Sequence, residues 1–256
     1  MTELPLFYRS ITPLDSAAHR RLRICLAARP FGFAAGAHLL PALIEEFAAA
    51  ARHIPVVFAP AGKTCTPVFL CGLEPGRNLF VDADGRWDAP YVPAYLRRYP
   101  FILGERGEAD PLVCIDTAFE GLGETTGTAL FEEDGSQSRA LAGIVRLVAD
   151  FAASARRTEA LCERLTALDL LKTVTIDVQK AGATASIHGL SIVDEEKLGA
   201  LSDEDFLALR RGGFLPAVFA HLFSIGATNE LAAKLRRDDT GTASKPDATE
   251  KGGAAS

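Results

Sequence analysis

The chain has 256 residues, an apolar fraction of 48% and a formal charge of −6, which is enough apolar material to bury an ordinary globular core. An isoelectric point near 5.5 does not provide the concentrated cationic surface that neutralising phosphates requires, so nucleic acid is a poor candidate partner. Five cysteines are an odd number in a chain large enough to fold without staples, and reduced thiols in a cytoplasmic protein are the expected state.

In chain order, Asp15, His19, Arg20, Arg21 and Arg23 interrupt the first thirty residues, so no leader h-region is expected there. Asp15 is placed to cap a short helix running to Leu26. The stretch Leu39 to Ala51, LLPALIEEFAAAA, puts Leu40, Leu43, Ile44 and Phe47 on one face and predicts an amphipathic helix with Pro41 in its first turn. The runs VVFA, PVFLCGL and NLFVD then predict three strands of an antiparallel meander. A short helix at Val92 to Arg98 is followed by two more strand-like runs, PFILG and PLVCID. From Ser138 to Leu168 apolar residues recur every three or four positions, predicting one long helix or two abutting ones. TVTIDV and TASIHGLSIV alternate on either side of AGA and predict a hairpin. Asp194 and Ser202 cap two helical segments, and Phe214 to Ile225 forms another that is too short to cross a bilayer core of roughly 30 Å. From residue 237 the sequence carries no large apolar side chain to bury. The expected fold is α+β, a mostly antiparallel sheet of about six to seven strands flanked by helices. The expected organisation is one domain over residues 1–236 and a disordered tail over 237–256.

The chemistry-bearing residues concentrate between Leu73 and Gly104, which hold the only tryptophan of the chain. Trp87, Asp88, Tyr91, Tyr95, Arg97, Arg98 and Tyr99 form the candidate binding site, because tryptophan, tyrosine and arginine are the side chains that anchor interfaces. The competing reading is that Trp87 and Tyr91 staple the loop onto the sheet. Asp82, Asp84 and Asp88 around Gly85 partly match a calcium loop, but the downstream glutamate is absent and an Asp-Gly turn explains the same residues. His19, His38, His53, His188 and His221 form no HExxH, HxxxH or HxD pair, so no metal and no cofactor is predicted, and His221 fits a hydrogen-bonded core histidine. Neither GxSxG, GxGxxG nor a lysine-bearing phosphate loop is present, and GETTGT at Gly123 to Thr128 reads as a surface loop.

The segments GLEPGRNLFVDADGRWDAPYVPAYLRRYPFILG, VCID, LFEEDG, GLSIVDEEKL, LSDEDF and AVFAHLFSIG, in that order and spacing, resemble the SapC family. The resemblance runs from about Leu39 to Gly226, with DSAAHRRLRI before it. It implies an association with a bacterial surface-layer locus and supplies no catalytic residues. It also implies neighbours: relatives are encoded near flavin-dependent halogenase-like enzymes, cupin-like enzymes and TonB-dependent receptors. The expected function is therefore a non-catalytic accessory or binding protein, acting with such partner enzymes on an envelope-related peptide, protein or small-molecule substrate. A metal-dependent oxygenase or hydrolase with a dispersed site drawn from His188, His221 and acidic residues is the alternative, and a surface-layer structural protein is the third reading.

Overall fold

A computed structural model describes residues 4–25, 27–104, 112–180 and 183–242. In chain order the strands are β1 (Ile11–Pro13), β2 (Arg23–Ile24), β3 (Leu39–Pro41), β4 (Val56–Ala61), β5 (Thr64–Leu70), β6 (Phe101–Gly104), β7 (Leu112–Asp116), β8 (Leu122–Gly123), β9 (Thr128–Ala129), β10 (Leu171–Lys180) and β11 (Ala183–Val193). The helices are α1 (Phe47–Ala50), α2 (Ala94–Arg98), α3 (Arg139–Ala167), α4 (Glu195–Gly199), α5 (Asp203–Arg211), α6 (Leu215–Ser224) and α7 (Thr228–Thr242). The fold is α+β and every strand pairing among the described residues is antiparallel. The strands are divided between three sheets, in orders β10-β11-β4-β5-β3, β1-β7-β6 and β8-β2-β9.

The long apolar periodicity produces α3, a single helix of 29 residues, about 44 Å at the standard rise. Ser138 caps it, its Oγ accepting from the Leu141 N–H at 3.2 Å and donating to the Ala129 carbonyl at 2.8 Å. Leu161, Cys162 and Leu165 near its C-terminus belong to the larger apolar cluster, which also holds Phe47, Phe58, Phe69 and Phe80. Leu141 and Val148 near its N-terminus belong to a smaller cluster with Phe101, Ile115, Leu130 and Phe131. One helix thus ties the two clusters into a single domain.

Four expectations change. Leu39 to Ala51 is not one helix: Leu39–Pro41 pairs with Val68–Leu70 of β5, a 3-10 turn covers Ile44–Glu46, and only Phe47–Ala50 is α-helical. Pro41 is harmless in a first helical turn and equally harmless on β3, which is a sheet edge, so the local sequence does not separate the two. Asp15 accepts from the N–H groups of Ala17 and Ala18, as a cap does, yet the chain closes only turns before reaching β2. At the other end α7, which the sequence did not reveal, runs to Thr242, past the boundary set from composition at 237; residues 243–256 of the expected tail lie outside the described residues.

NLFVD likewise gives an isolated bridge, Val81 to Trp87, across a tight turn. The same turn recurs fifty residues on, between Phe131 and Gln137. Asp82 N–H donates to Arg86 O and Gly85 N–H to Asp82 O; Glu132 N–H donates to Ser136 O and Gly135 N–H to Glu132 O. Gly85 (φ 74°) and Gly135 (φ 88°) occupy the left-handed position each turn requires. A Cβ on Gly85 would lie 2.6 Å from the Arg29 Cβ, so this turn forms the floor beneath the Arg29 loop.

His221 closes the gap where β4 and β11 meet through a single register pair, Ser191 with Phe58. Its Nε2 accepts from the Val193 N–H at 3.0 Å and its Nδ1 donates to the Val56 carbonyl at 2.9 Å, while the Val56 N–H donates to Ser224 Oγ. The backbone therefore fixes its tautomer, and burial lowers its pKa to about 4.

Candidate functional site

The tryptophan-bearing segment is drawn largely inward. Tyr95, Arg98 and Tyr99 are buried, Trp87 and Tyr91 half-buried, and Asp88 and Arg97 exposed. Trp87 stacks on Phe80 with ring centroids 5.4 Å apart and donates its indole N–H to the Tyr91 carbonyl at 2.7 Å. Asp88 is held by the buried Lys234 of α7, whose ammonium donates to both the Asp88 carboxylate and, at 2.7 Å, its carbonyl. Arg97 donates to the Val92 carbonyl and the Tyr91 hydroxyl, and that hydroxyl donates at 2.8 Å to Glu46. Glu46 also accepts from the Leu43 and Ala94 N–H groups, joining the 3-10 turn to α2. Burial pushes the Glu46 carboxyl above its ordinary value against those hydrogen bonds. Arg98 lies over the Phe151 ring at 4.0 Å and the Tyr95 ring at 4.4 Å, and its Nε has no hydrogen-bond acceptor. Its cation is held by aromatic faces.

Tyr99 leads from this packed layer to an open cleft of about 360 Å³ bordered by Phe7, Arg9, Arg29, Gly32, Phe33, Phe119 and Glu120. Rings surround it: Phe33 at 4.4 Å, Phe119 at 5.5 Å and Phe7 at 6.2 Å from the Tyr99 centroid. Beneath lies Asp116, fully buried at the end of β7. Its Oδ1 accepts from Ser10 and Ala118 N–H, and its Oδ2 accepts from Arg9 N–H and, at 3.1 Å, from the Tyr99 hydroxyl. Burial alone would raise its carboxyl, but these donors outweigh burial and hold it below the ordinary carboxylate range. Burial, then the Asp116 charge, raises Tyr99 to about 12, so the phenol stays protonated. Arg9 anchors its guanidinium on the Ala118 carbonyl at 2.9 Å, and Arg29 is exposed at the rim.

Phe7 holds φ of 80°, a conformation that costs a non-glycine residue of order 1–3 kcal/mol and gathers at functional sites. It contacts Phe33, Tyr95 and Tyr99. Of the sequence candidates only Tyr99 borders the cleft; Phe7, Arg9, Arg29, Phe33 and Phe119 were not among them. The one local signal for these was the pairing of aromatics with arginine in FYR at Phe7 to Arg9 and RPFGF at Arg29 to Phe33.

The family model for SapC matches residues 14–231. The chain belongs to the SapC family. No curated protein and no solved structure matches it, so the cleft of this SapC protein has to be read from its own residues. Among the described residues no three His, Cys, Asp or Glu side chains gather in a way that would hold a metal ion. Both ring nitrogens of His221 are spent on the backbone, and His188 is exposed on β11 beside Thr175. The calcium-like acids are engaged too: Asp82 accepts from the Arg86 N–H and Asp84 pairs with the Arg86 guanidinium. A second cavity, of about 430 Å³, lies between α7 and the large sheet with Val57, Val174, Ile176 and Ile192 on its wall. No helix among the described residues is long and apolar enough to cross a membrane.

Proposed function

We propose that this SapC protein is a non-catalytic accessory protein that holds a small ligand in the Arg9–Arg29–Tyr99 cleft and works beside partner enzymes on an envelope-related substrate. The observation that carries the reading is the chemistry around Tyr99: two arginine side chains bordering the cleft, a phenol that keeps its proton and a carboxylate whose oxygens are all committed to donors. Such a set positions and neutralises a ligand. General acid–base catalysis instead needs a group whose pKa lies near the operating pH. The envelope connection and the choice of partners, a flavin-dependent halogenase-like or cupin-like enzyme, rest on family membership alone, and the expected compartment is the cytoplasm.

Arg97 and Asp88 are the exposed members of the candidate set, and Arg97, oriented by its bonds to the Val92 carbonyl and the Tyr91 hydroxyl, is the one we assign to face a protein partner. The test is capture of purified enzymes of the two kinds that family membership implies, one halogenase-like and one cupin-like. Wild-type protein is expected to capture at least one of them, and Arg97→Ala to weaken capture with little change in the melting curve. Absence of any complex, together with turnover of a substrate by the chain alone, would contradict the reading.

A further inference from the structure

Resting on the reading of the cleft as a ligand site, we infer that its ligand is a small monocarboxylate with a flat aromatic body. The cleft joins two features no single element contains. One is a wall of ring edges and faces, Phe7, Phe33, Tyr99 and Phe119, arranged mostly edge-on with interplanar angles of 72° for Phe7–Phe33 and 89° for Tyr99–Phe119. Such a wall presents edges and faces against which a further flat ring packs through offset or T-shaped contact. The other is a pair of guanidinium forks at the mouth, on Arg9 and Arg29, matched to a planar anion that accepts two parallel N–H bonds.

Charge limits the anion. Asp116 accepts from the Arg9 backbone N–H beneath the cleft and Glu120 stands at its rim, so two carboxylates of the protein lie near the two arginines. With acids offsetting arginines the site offers only modest attraction, which is matched to a singly charged head group; a phosphate dianion loses far more hydration, because the desolvation cost rises with the square of the charge while the attraction rises only linearly. The volume of about 360 Å³ falls near the small end of ligand cavities, which run from roughly 300 to 1,000 Å³. Arg9 is already oriented by Ala118, and the loop carrying Arg29 is fixed from below by Gly85 and by the Phe31 N–H bond to the Gly85 carbonyl at 2.7 Å. The Arg9 fork and the backbone that carries Arg29 are thus partly preorganised, which lowers the entropy lost on binding.

The test is calorimetric titration of the full-length protein with benzoate, phenylacetate and 2-naphthoate, with acetate, phenethylamine and inorganic phosphate as comparison probes. At least one aromatic carboxylate is expected to saturate at millimolar concentration or below, about tenfold or more tighter than acetate or phosphate. Arg29→Ala is expected to weaken it by about tenfold to a hundredfold, the range for a charge-assisted hydrogen bond. Arg29→Lys should recover only part of that loss, because it restores charge without the fork, and Arg211→Ala on α5 should change nothing. Because Arg29 is exposed, the unliganded melting temperature serves as the folding control. Phosphate binding through Arg29 as tightly as the aromatic acids, or phenethylamine binding as tightly whether or not Arg29 is present, overturns the ligand class while leaving a binding site in place. No saturation by any aromatic acid overturns the inference, and if capture of a partner enzyme persists the accessory reading survives it. Chemical conversion of a probe by the protein would instead remove the accessory reading.

Discussion

His221, Asp116 and Glu46 are all buried, yet their surroundings push them in different directions. His221 is held neutral, with a folded pKa of about 4 against an ordinary 6.5. The unfolded chain therefore binds more protons in that interval, and stability falls as pH drops from 6.5 toward 4, by about 3 kcal/mol in all. Asp116, depressed by its donors, gives stability that is lost as pH falls through the ordinary carboxylate value toward its lower folded one. Glu46, raised by burial, has the opposite sign: its contribution is present in acid and is lost as pH rises through its folded value. Urea denaturation of wild type and His221→Gln across pH 4 to 7 separates the first effect from the rest. The wild-type curve is expected to slope more steeply between 4 and 6.5, and parallel curves would contradict the assignment. At Gly85, alanine must adopt φ of 74° and place a Cβ 2.6 Å from Arg29, so Gly85→Ala is expected to cost more than about 1 kcal/mol and to weaken ligand binding at the cleft. A melting curve beside a titration checks both. That His221 belongs to the core was legible from its apolar helix; that its partners are the backbones of Val56 and Val193 was not, because they lie far away in sequence.

Among elements, those with long and regular patterns were legible. The apolar repeat of α3, the alternation of β10 and β11 and the caps at Asp194 and Ser202 each follow local rules, and each is where the sequence put it. Elements decided by a distant partner were not. Leu39–Pro41 becomes a strand because β5 offers an edge, and the following residues are held short of a long helix by Glu46, whose carboxylate reaches both Leu43 and Ala94. Glu46→Ala removes the acceptor of Leu43 N–H, Ala94 N–H and the Tyr91 hydroxyl together and is expected to destabilise by about 2–4 kcal/mol, measured by chemical denaturation. Ser138→Ala, which loses only a cap and its return bond to Ala129, is expected to cost about 1 kcal/mol. The repeated Asp-Gly turn is likewise clearer in hydrogen bonds than in letters, since DADG and EEDG share little besides the final two residues. The first turn carries the Arg29 loop, and the second delivers the chain to Ser138 and α3.

For the molecule as a whole, α3 ties two apolar clusters, so they should melt together. Leu161→Ala in the larger and Leu141→Ala in the smaller are each expected to lower one shared transition by about 2–5 kcal/mol; calorimetry resolving two transitions would contradict that coupling. The tryptophan-bearing segment, the most conspicuous stretch of the sequence, is mainly structural: it packs α2, pairs with α7 and floors the Arg29 loop. The cleft itself is assembled from the N-terminal arm, the Arg29–Phe33 loop, Tyr99 and the Ala118–Glu120 turn, contributions too dispersed for any local pattern to announce. Elsewhere Phe219 and Phe223 expose apolar area one turn apart on α6, at 43% and 78%, which gives the central claim a clear competitor. The deciding measurement is amide chemical-shift mapping of the isotopically labelled protein titrated with whichever of benzoate, phenylacetate and 2-naphthoate binds most tightly. Saturable shifts confined to residues 7–10, 29–33, 99 and 116–120 are predicted; shifts centred on α6, or on the Trp87–Arg97 stretch with the cleft unmoved, would contradict the binding of an aromatic acid there.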